Sequence, residues 1–171
     1  VSSVHALAST EILDIDQIAN EIVVAINETR MALIKLHTEP ELDASPTIKD
    51  FAATFLMVVA NADGGAFFHV GDGAGTRFLL SDISSALVSK PENGEYANET
   101  YFVTMEHWER HLRITRFDGV FDTILLMSDG VTPMAMDKGC AGPFKSFVNP
   151  VLDFLNKIDE ETGEIALVNT L

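Results

Sequence analysis

The segment "FDTILLMSDGV", Phe121 to Val131, decides the fold because a short apolar strand stands directly before a carboxylate. A nearly continuous apolar run is typical of a strand covered on both sides, so we expect burial of both faces of Asp122–Met127. Asp129 then has two explanations. Asp and Gly are common turn residues, so "SDG" is consistent with a simple turn. A strand end can also hold a carboxylate in place for Mg²⁺ or Mn²⁺. The tripeptide alone favours the turn.

The composition is typical of one folded domain. The chain has 171 residues, of which 47% are hydrophobic, so we expect a single domain over residues 1–171 with a substantial core. The net charge is −15, from 26 acidic and 11 basic residues. This charge argues against binding to nucleic acids and to anionic membrane surfaces, because both require Lys and Arg. Phosphorylated substrates remain possible if bound cations offset the repulsion.

The single cysteine and the chain termini indicate the cellular setting. Cys140 has no partner for an intrachain disulfide, which favours a reducing compartment, and we expect the cytoplasm. Cys140 also has no histidine near it in "DKGCAGP", which gives no support for a cysteine nucleophile. The longest apolar run, "FAATFLMVVA", is too short to cross a bilayer. The N-terminus lacks the basic leader of a secretory signal and an initiator Met, so we expect a chain processed or cut from a longer one.

The apolar pattern predicts a long helix followed by several short strands. Apolar residues recur every three or four positions over Ile12–Leu36, and Asp14 followed by Gln17 resembles a capping box. Later segments are short, aromatic and β-branched, with Asp-Gly and Gly-rich stretches between them. The predicted strands are Phe51–Ala60, Ala66–Val70, Thr76–Leu80, Glu99–Thr104, His111–Phe117 and Asp122–Met127. Residues 85–98, "SALVSKPENGEYAN", predict a loop because Pro and Gly interrupt them.

The connections and the tail complete the predicted architecture. Gly-rich "GDGAG" at residues 71–75 and "DGV" at residues 118–120 predict the turns of antiparallel hairpins. The tail "PFKSFVNPVLDFLNKI" is amphipathic, and Pro150 predicts a kinked helix or two short ones. Its predicted apolar face consists of Phe144, Phe147, Val148, Val151, Leu155 and Ile158. The order of helix, antiparallel strands and helix predicts an α+β fold in which helices cover sheets.

Asp72 is a second candidate carboxylate. It lies in "HVGDGAG", which is not a phosphate-binding loop, because it has no GKS/T and no helix is predicted after it. We expect a tight turn or a Gly-rich hairpin that lets another backbone approach Asp72 closely. No G-x-S-x-G motif indicates Ser-His-Asp catalysis.

Other polar residues give weaker signals. His107 and His111 in "HWERH" have the spacing of a helical zinc pair, but no third ligand stands at a convincing distance in sequence, so we expect ordinary loop residues. Glu92, Glu95 and Glu99 lie in "PENGEYANET", which predicts a solvated acidic loop.

The order of four segments is more specific than any one of them. "FAATFLMVVA", "GAFFHVGDGAG", "GEYANETYFVT" and "FDTILLMSDGV" together resemble the metal-dependent protein phosphatases of the PP2C type, in particular a bacterial branch, over residues 50–134. The resemblance implies an α-β-β-α sandwich of two antiparallel sheets with flanking helices. It also implies hydrolysis of phosphoserine and phosphothreonine on proteins, with two or more Mn²⁺ or Mg²⁺ ions and a metal-bridging water as the nucleophile.

The resemblance also assigns residues. It implies that Asp129 is a ligand of the catalytic metal pair, that Asp72 helps to hold a further metal or braces its hairpin, and that Thr54 is structural. The family's first metal motifs and its last metal aspartate do not stand in this chain, so we expect an incomplete domain without its N- and C-terminal segments. Two hypotheses stay open: a serine/threonine phosphatase acting on a phosphorylated protein, and a catalytically inactive PP2C-like module that binds a protein or phosphoprotein.

Overall fold

Helices flank two small sheets in the computed structural model, which describes residues 13–37, 47–92, 100–155, 157 and 162–163. The helices are α1 Ile15–His37, α2 Thr132–Ala135 and α3 Lys145–Leu155, and 3₁₀ turns occupy Ile48–Phe51 and Trp108–His111. The strands are β1 Phe55–Ala60, β2 Gly64–Val70, β3 Ala74–Leu79, β4 Asp82–Ser89, β5 Arg113–Asp118 and β6 Thr123–Met127. The first sheet has the order β1-β2-β5 and the second has the order β4-β3-β6. All four strand pairings are antiparallel, as predicted.

Strand β2 separates two layers of the core, because its side chains alternate between opposite faces. Ala66 and Phe68 pack against the apolar stripe of α1, which consists of Ile15, Ala19 and Ile22. Phe67 faces the second sheet, and its ring lies 2.8 Å from where a Cβ at Gly75 would stand. The absence of a side chain at Gly75 therefore lets the two sheets approach closely at this point.

The second sheet is covered on its other side by the C-terminal helices. Ala74 and Met127 pack against Ala135 of α2 and the adjacent Met136. Farther along the same face, Phe78 packs against Val148 of α3. The layers are therefore α1, first sheet, second sheet and α2 with α3, which confirms the predicted α+β sandwich.

The start of α1 confirms half of the predicted capping box. Asp14 Oδ1 accepts a hydrogen bond from the backbone N–H of Gln17 at 2.9 Å, which satisfies one free N–H of the first turn. The Gln17 side chain does not return to Asp14 and instead donates to Glu21 at 2.9 Å. The helix begins at Ile15 in the described part, and the predicted start at Ile12 lies outside it.

Two of the predicted elements were wrong. Residues 85–89 belong to β4 rather than to a loop, because pairing with β3 outweighs the weak strand preference of a Ser-rich segment. Residues 100–104, the described part of the predicted strand Glu99–Thr104, do not form a strand. There the Arg30 guanidinium donates to the carbonyl groups of Val103 and Met105. The described part of "GEYANET" is limited to Thr100.

Two of the predicted hairpins are crossovers between the sheets. Residues 71–73 lead from β2 in the first sheet to β3 in the second, and residues 119–122 lead from β5 to β6 in the same way. Gly71 and Gly119 have φ of +121° and +80°, a region that favours glycine. A Gly-rich turn signal predicts the change of direction, but it does not tell which sheet the next strand joins.

Strand β6 is less buried on one face than on the other, so the expectation of burial on both faces was wrong in part. Leu125 and Met127 point toward the helices and pack in their core. Leu126 points the other way and is 45% exposed. The reason is its place in the sheet: β6 is an edge strand next to β3.

Helix α3 is one helix with Pro150 inside it, rather than two short ones. Its buried side differs in part from the predicted face, since Val148 is buried whereas Phe144 and Val151 are exposed. The Leu155 side chain and Ile158 lie outside the described residues. None of the described helices combines the length and the apolar character needed to cross a membrane.

The packing of α1 on β2 can be tested with Phe68→Ala. Phe68 is completely buried, so its truncation leaves a cavity and should lower the free energy of unfolding by about 3–5 kcal/mol. The control is Val120→Ala, at a residue that is 78% exposed, which should change it by less than about 0.5 kcal/mol. Urea unfolding measures both. A Phe68→Ala loss as small as that of the control would contradict the described packing.

Candidate functional site

One end of the sandwich collects the loops that carry both candidate carboxylates. Strand β2 ends at Val70, opposite the first residue of β1. Strand β3 begins at Ala74, opposite Met127, the last residue of β6. The loop with Asp72 and the turn with Asp129 therefore extend beyond the same end of the β3–β6 pair.

Gly73 brings these two segments into contact. A Cβ at this position would lie 2.6 Å from the carbonyl oxygen of Met127, so only glycine lets the backbones approach this closely. Ser128 stands between Met127 and Asp129, and its Cα would lie 3.7 Å from the same Cβ position at Gly73. A second backbone therefore approaches closely at Gly73, the residue after Asp72, and it does so at a crossover between sheets rather than in the expected hairpin.

The turn after β6 has a backbone fixed by hydrogen bonds. The Ser128 carbonyl accepts bonds from the N–H groups of Val131 and Thr132 at 3.1 and 3.0 Å, and from Thr132 Oγ1 at 2.9 Å. Asp129 Oδ1 accepts a bond from the N–H of Gly130 at 2.8 Å, and the side chain is exposed. Asp129 therefore lies in a turn, and its carboxylate is accessible to a ligand.

The backbone before Asp72 is also held. The Gly71 carbonyl accepts bonds from the Glu92 N–H at 3.0 Å and from Arg113 Nη2 at 3.1 Å. Arg113 Nη1 donates to Glu92 Oε2 at 3.1 Å. Burial lowers the pKa of the Arg113 guanidinium, and the charge of Glu92 opposes this shift. On the other side of Gly71, a Cβ would lie 2.4 Å from Thr54 Cγ2, which agrees with a structural role for Thr54.

The Arg113–Glu92 pair was not predicted from the sequence. The signal was present in the alternation of β5, where Arg113, Thr115 and Phe117 share one face. Leu112 and Ile114 are apolar and alternate with Arg113, so the sequence does not tell which side of β5 faces inward. Glu92 was expected in a solvated acidic loop, whereas its side chain is only partly exposed.

The two histidines of "HWERH" have different neighbours. Both lie in the segment between β4 and β5, as expected for loop residues: His107, with φ of 59°, precedes a short 3₁₀ turn, and His111 is its last residue. The His111 ring stacks on Tyr101 with centroids 3.5 Å apart, and its Nδ1 is 4.0 Å from Glu92 Oε1.

Burial raises the pKa of the Cys140 thiol, which disfavours the thiolate that a nucleophile requires.

The donor chemistry of this end fits a hard divalent cation in part. Mg²⁺ and Mn²⁺ prefer oxygen ligands, and Mg²⁺ commonly binds through one or two carboxylates while it keeps several waters. Asp72 makes no hydrogen bond or ion pair with the residues that the structure describes. Within the same residues no group of three or more His, Cys, Asp or Glu could hold a metal ion. Glu95 and Glu99 lie outside them.

A buried histidine lies between the sheets beneath this end. His69 is completely buried, its Nδ1 is 3.1 Å from Ser89 Oγ, and its Nε2 has no partner in the described structure. Burial and, to a smaller extent, the nearby charge of Arg113 together lower the pKa of His69 to about 4. The imidazole is therefore neutral at physiological pH, and it adds no charge to the site above it.

The comparisons with known proteins agree with this architecture. The family profile described as Protein phosphatase 2C matches residues 1–171. The chain is 30% identical over 117 residues to "Serine/threonine-protein phosphatase 3" of Escherichia coli (strain K12). The aligned region covers 68% of this chain and 44% of that protein, so the chain spans less than half the length of this curated relative. No solved structure matches the chain significantly.

The contact at Gly73 can be tested with Gly73→Ala. The added methyl group would overlap the Met127 carbonyl, so the free energy of unfolding should fall by about 1–3 kcal/mol. Gly130→Ala is the matched control, because its Cβ would meet nothing closer than Ser128 Oγ at 3.9 Å. Denaturant unfolding compares the two variants. Equal stabilities would show that the two backbones are not in close contact.

The neutral state of His69 predicts a loss of stability in acid. Its folded-state pKa of about 4 lies below the ordinary 6.5, so the unfolded chain binds an extra proton between these values. The free energy of unfolding should therefore fall as the pH drops below about 6.5. At pH 4.5 this loss should exceed the loss in a His69→Asn variant by about 2 kcal/mol. Urea titrations at several pH values measure the difference. Parallel curves for both proteins would contradict the prediction.

Proposed function

Because this chain belongs to the protein phosphatase 2C family, we propose that the full-length protein hydrolyses phosphoserine and phosphothreonine on protein substrates with the help of divalent metal ions. One observation supports this proposal more than any other. The contact at Gly73 brings the strand ends that carry Asp72 and Asp129 together at one end of the sandwich. The sequence resemblance pointed to these same two carboxylates.

Asp129 and Asp72 would hold Mn²⁺ or Mg²⁺, with Asp129 at the catalytic pair and Asp72 at a further ion. Such ions, when bound, supply a nucleophile from water at neutral pH and a counter-charge for the phosphoryl oxygens. The chain contributes the positions of the carboxylates. Asp129 lies in a turn closed by three bonds to the Ser128 carbonyl, which reduces the movement available to its backbone. Fixed charges of this kind need little rearrangement during the reaction.

The charge of the protein supports a need for metal ions. With a net charge of −15, the bare protein repels a phosphorylated substrate at long range. Cations bound at the carboxylates would reverse the local sign of the potential where the phosphate binds. Metal ions would thus contribute to substrate binding as well as to the hydrolysis.

The remaining parts of the proposal concern the protein as a whole. We propose one domain over residues 1–171 and a signalling role in the bacterial cytoplasm, which the single free cysteine and the bacterial relative support. The substrate would be a phosphorylated protein. The comparisons give no support to the alternative of a catalytically inactive binding module.

Asp129→Asn in the full-length protein tests the proposed function. The substitution keeps the size of the side chain and removes its charge, so metal ions should bind less tightly. We expect the rate of Mn²⁺-dependent hydrolysis of a phosphothreonine peptide to fall by about 10²–10³. The fold should survive, because Asp129 is exposed and accepts only a local hydrogen bond. Asp72→Asn should cause a smaller loss, mainly at low metal concentration.

The matched control is Asp63→Asn, which removes one exposed negative charge from the β1–β2 turn at the opposite end of the sandwich. It should leave the rate near the wild-type value, because Asp63 is far from the proposed metal ions. Turnover of Asp129→Asn equal to that of Asp63→Asn would mean that Asp129 is a turn residue only.

A further inference from the structure

Three hydrogen bonds form a closed ring around the peptide group that precedes Asp72. The Gly71 carbonyl accepts from Arg113 Nη2 and from the Glu92 N–H, and Arg113 Nη1 donates to Glu92 Oε2. The ring joins the end of β2, the segment after β4 and the start of β5. The end of β2 and the start of β5 belong to the first sheet, whereas the segment with Glu92 follows β4 of the second sheet. The ring therefore connects the first sheet to the residues that follow β4.

The ion pair in this ring is partly shielded from water. The Arg113 and Glu92 side chains are 27% and 34% exposed. Arg116, on the same strand as Arg113, pairs with Asp16 of α1, and these two side chains are 51% and 81% exposed. Exposed pairs contribute little because water screens them, whereas shielded charge-assisted hydrogen bonds are stronger. The planar guanidinium also suits this place, because its two Nη groups reach a carbonyl and a carboxylate at once.

The neighbouring residues explain why this peptide group needs such support. Gly71 has φ of +121° and no side chain that could pack, and Thr54 closes one side of it. Asp72 itself makes no hydrogen bond in the described part of the chain. The position of its carboxylate therefore depends on its backbone, and Arg113 and Glu92 hold that backbone.

We propose that Arg113 and Glu92 are positioning residues, which hold the Gly71 carbonyl and thereby hold the Asp72 carboxylate where a divalent cation binds. This inference rests on the proposed function, since it requires a cation beside Asp72. It assigns a role in metal affinity to two residues that would not touch the substrate. Arg113 would thus favour cation binding by positioning Asp72, although its own positive charge repels a cation.

Arg113→Met in the full-length protein is the decisive variant, because charge and position predict opposite results. If Arg113 acted through its charge alone, its removal would strengthen Mn²⁺ binding, since like charges repel. If it positions Asp72, its removal should weaken Mn²⁺ binding by about tenfold, as for other groups that orient metal ligands. Calorimetric titration with Mn²⁺ measures the dissociation constant without any need for activity. Unchanged or tighter binding would overturn the proposal.

Further variants distinguish a positioning role from direct ligation of the metal. Arg113→Lys keeps the charge but loses the two-pronged donor, so it should also weaken Mn²⁺ binding, and it serves as the test if Arg113→Met does not fold. Glu92→Gln should weaken it too, and the double variant should lose less than the sum of the single losses. If Glu92→Gln weakens Mn²⁺ binding and neither Arg113 variant does, Glu92 is itself a metal ligand, and the proposed positioning role is overturned.

Arg116→Met is the matched control, because it removes an exposed ion pair from the same strand. It should leave the Mn²⁺ dissociation constant within about twofold of the wild-type value.

In hydrolysis of p-nitrophenyl phosphate, the Arg113 variants should need more Mn²⁺ for half-maximal rate and approach wild-type kcat at saturation. A wild-type protein that neither binds Mn²⁺ nor hydrolyses the ester overturns the proposed function together with this inference. Normal wild-type activity with unchanged metal affinity in both Arg113 variants overturns this inference alone.

Discussion

Strand β2 is buried along its whole length, and the positions of the other elements follow from that burial. Phe68 contacts the helix layer and Phe67 contacts the second sheet. A slip of one residue would exchange these two faces, so covering both of them fixes the register of the strand. Full burial of each Phe side chain contributes about 1.5–3 kcal/mol. The fixed register in turn determines where β2 ends, and thus where the loop with Asp72 begins.

The space between the sheets contains polar groups as well as apolar ones. His69 and Thr115 of the first sheet lie within 3.1 and 3.4 Å of the same Ser89 hydroxyl on the second. Arg77 donates to one carbonyl on β4 and to another on β5. Buried polar groups are costly unless they are paired, so these bonds favour one alignment of the two sheets over a sliding set of alternatives. Apolar contacts alone would define that alignment less sharply.

The sequence predicted the elements better than their connections. Helix periodicity and short apolar runs are local signals, so α1 and five of the six strands were found close to their positions. The sheet that a strand joins depends on contacts with residues far away in sequence, and the crossovers at Gly71 and Gly119 were therefore missed. Motif order and the family resemblance predicted Asp72 and Asp129 as metal ligands, and this role stays a prediction. Arg113 was missed because an inward-facing Arg looks the same in sequence as a solvated one.

The pairing of β3 with β6 has a consequence for how the protein folds. The hairpins β1–β2 and β3–β4 close over short loops, whereas β3 and β6 pair across about fifty residues of intervening chain. Contacts between distant residues carry a larger loop-closure entropy, and they slow folding relative to local contacts. The loop with Asp72 and the turn with Asp129 are brought to the same end through this long-range ladder. A nascent or partly folded chain can therefore have most of its local structure before the segments with Asp72 and Asp129 come together at this end.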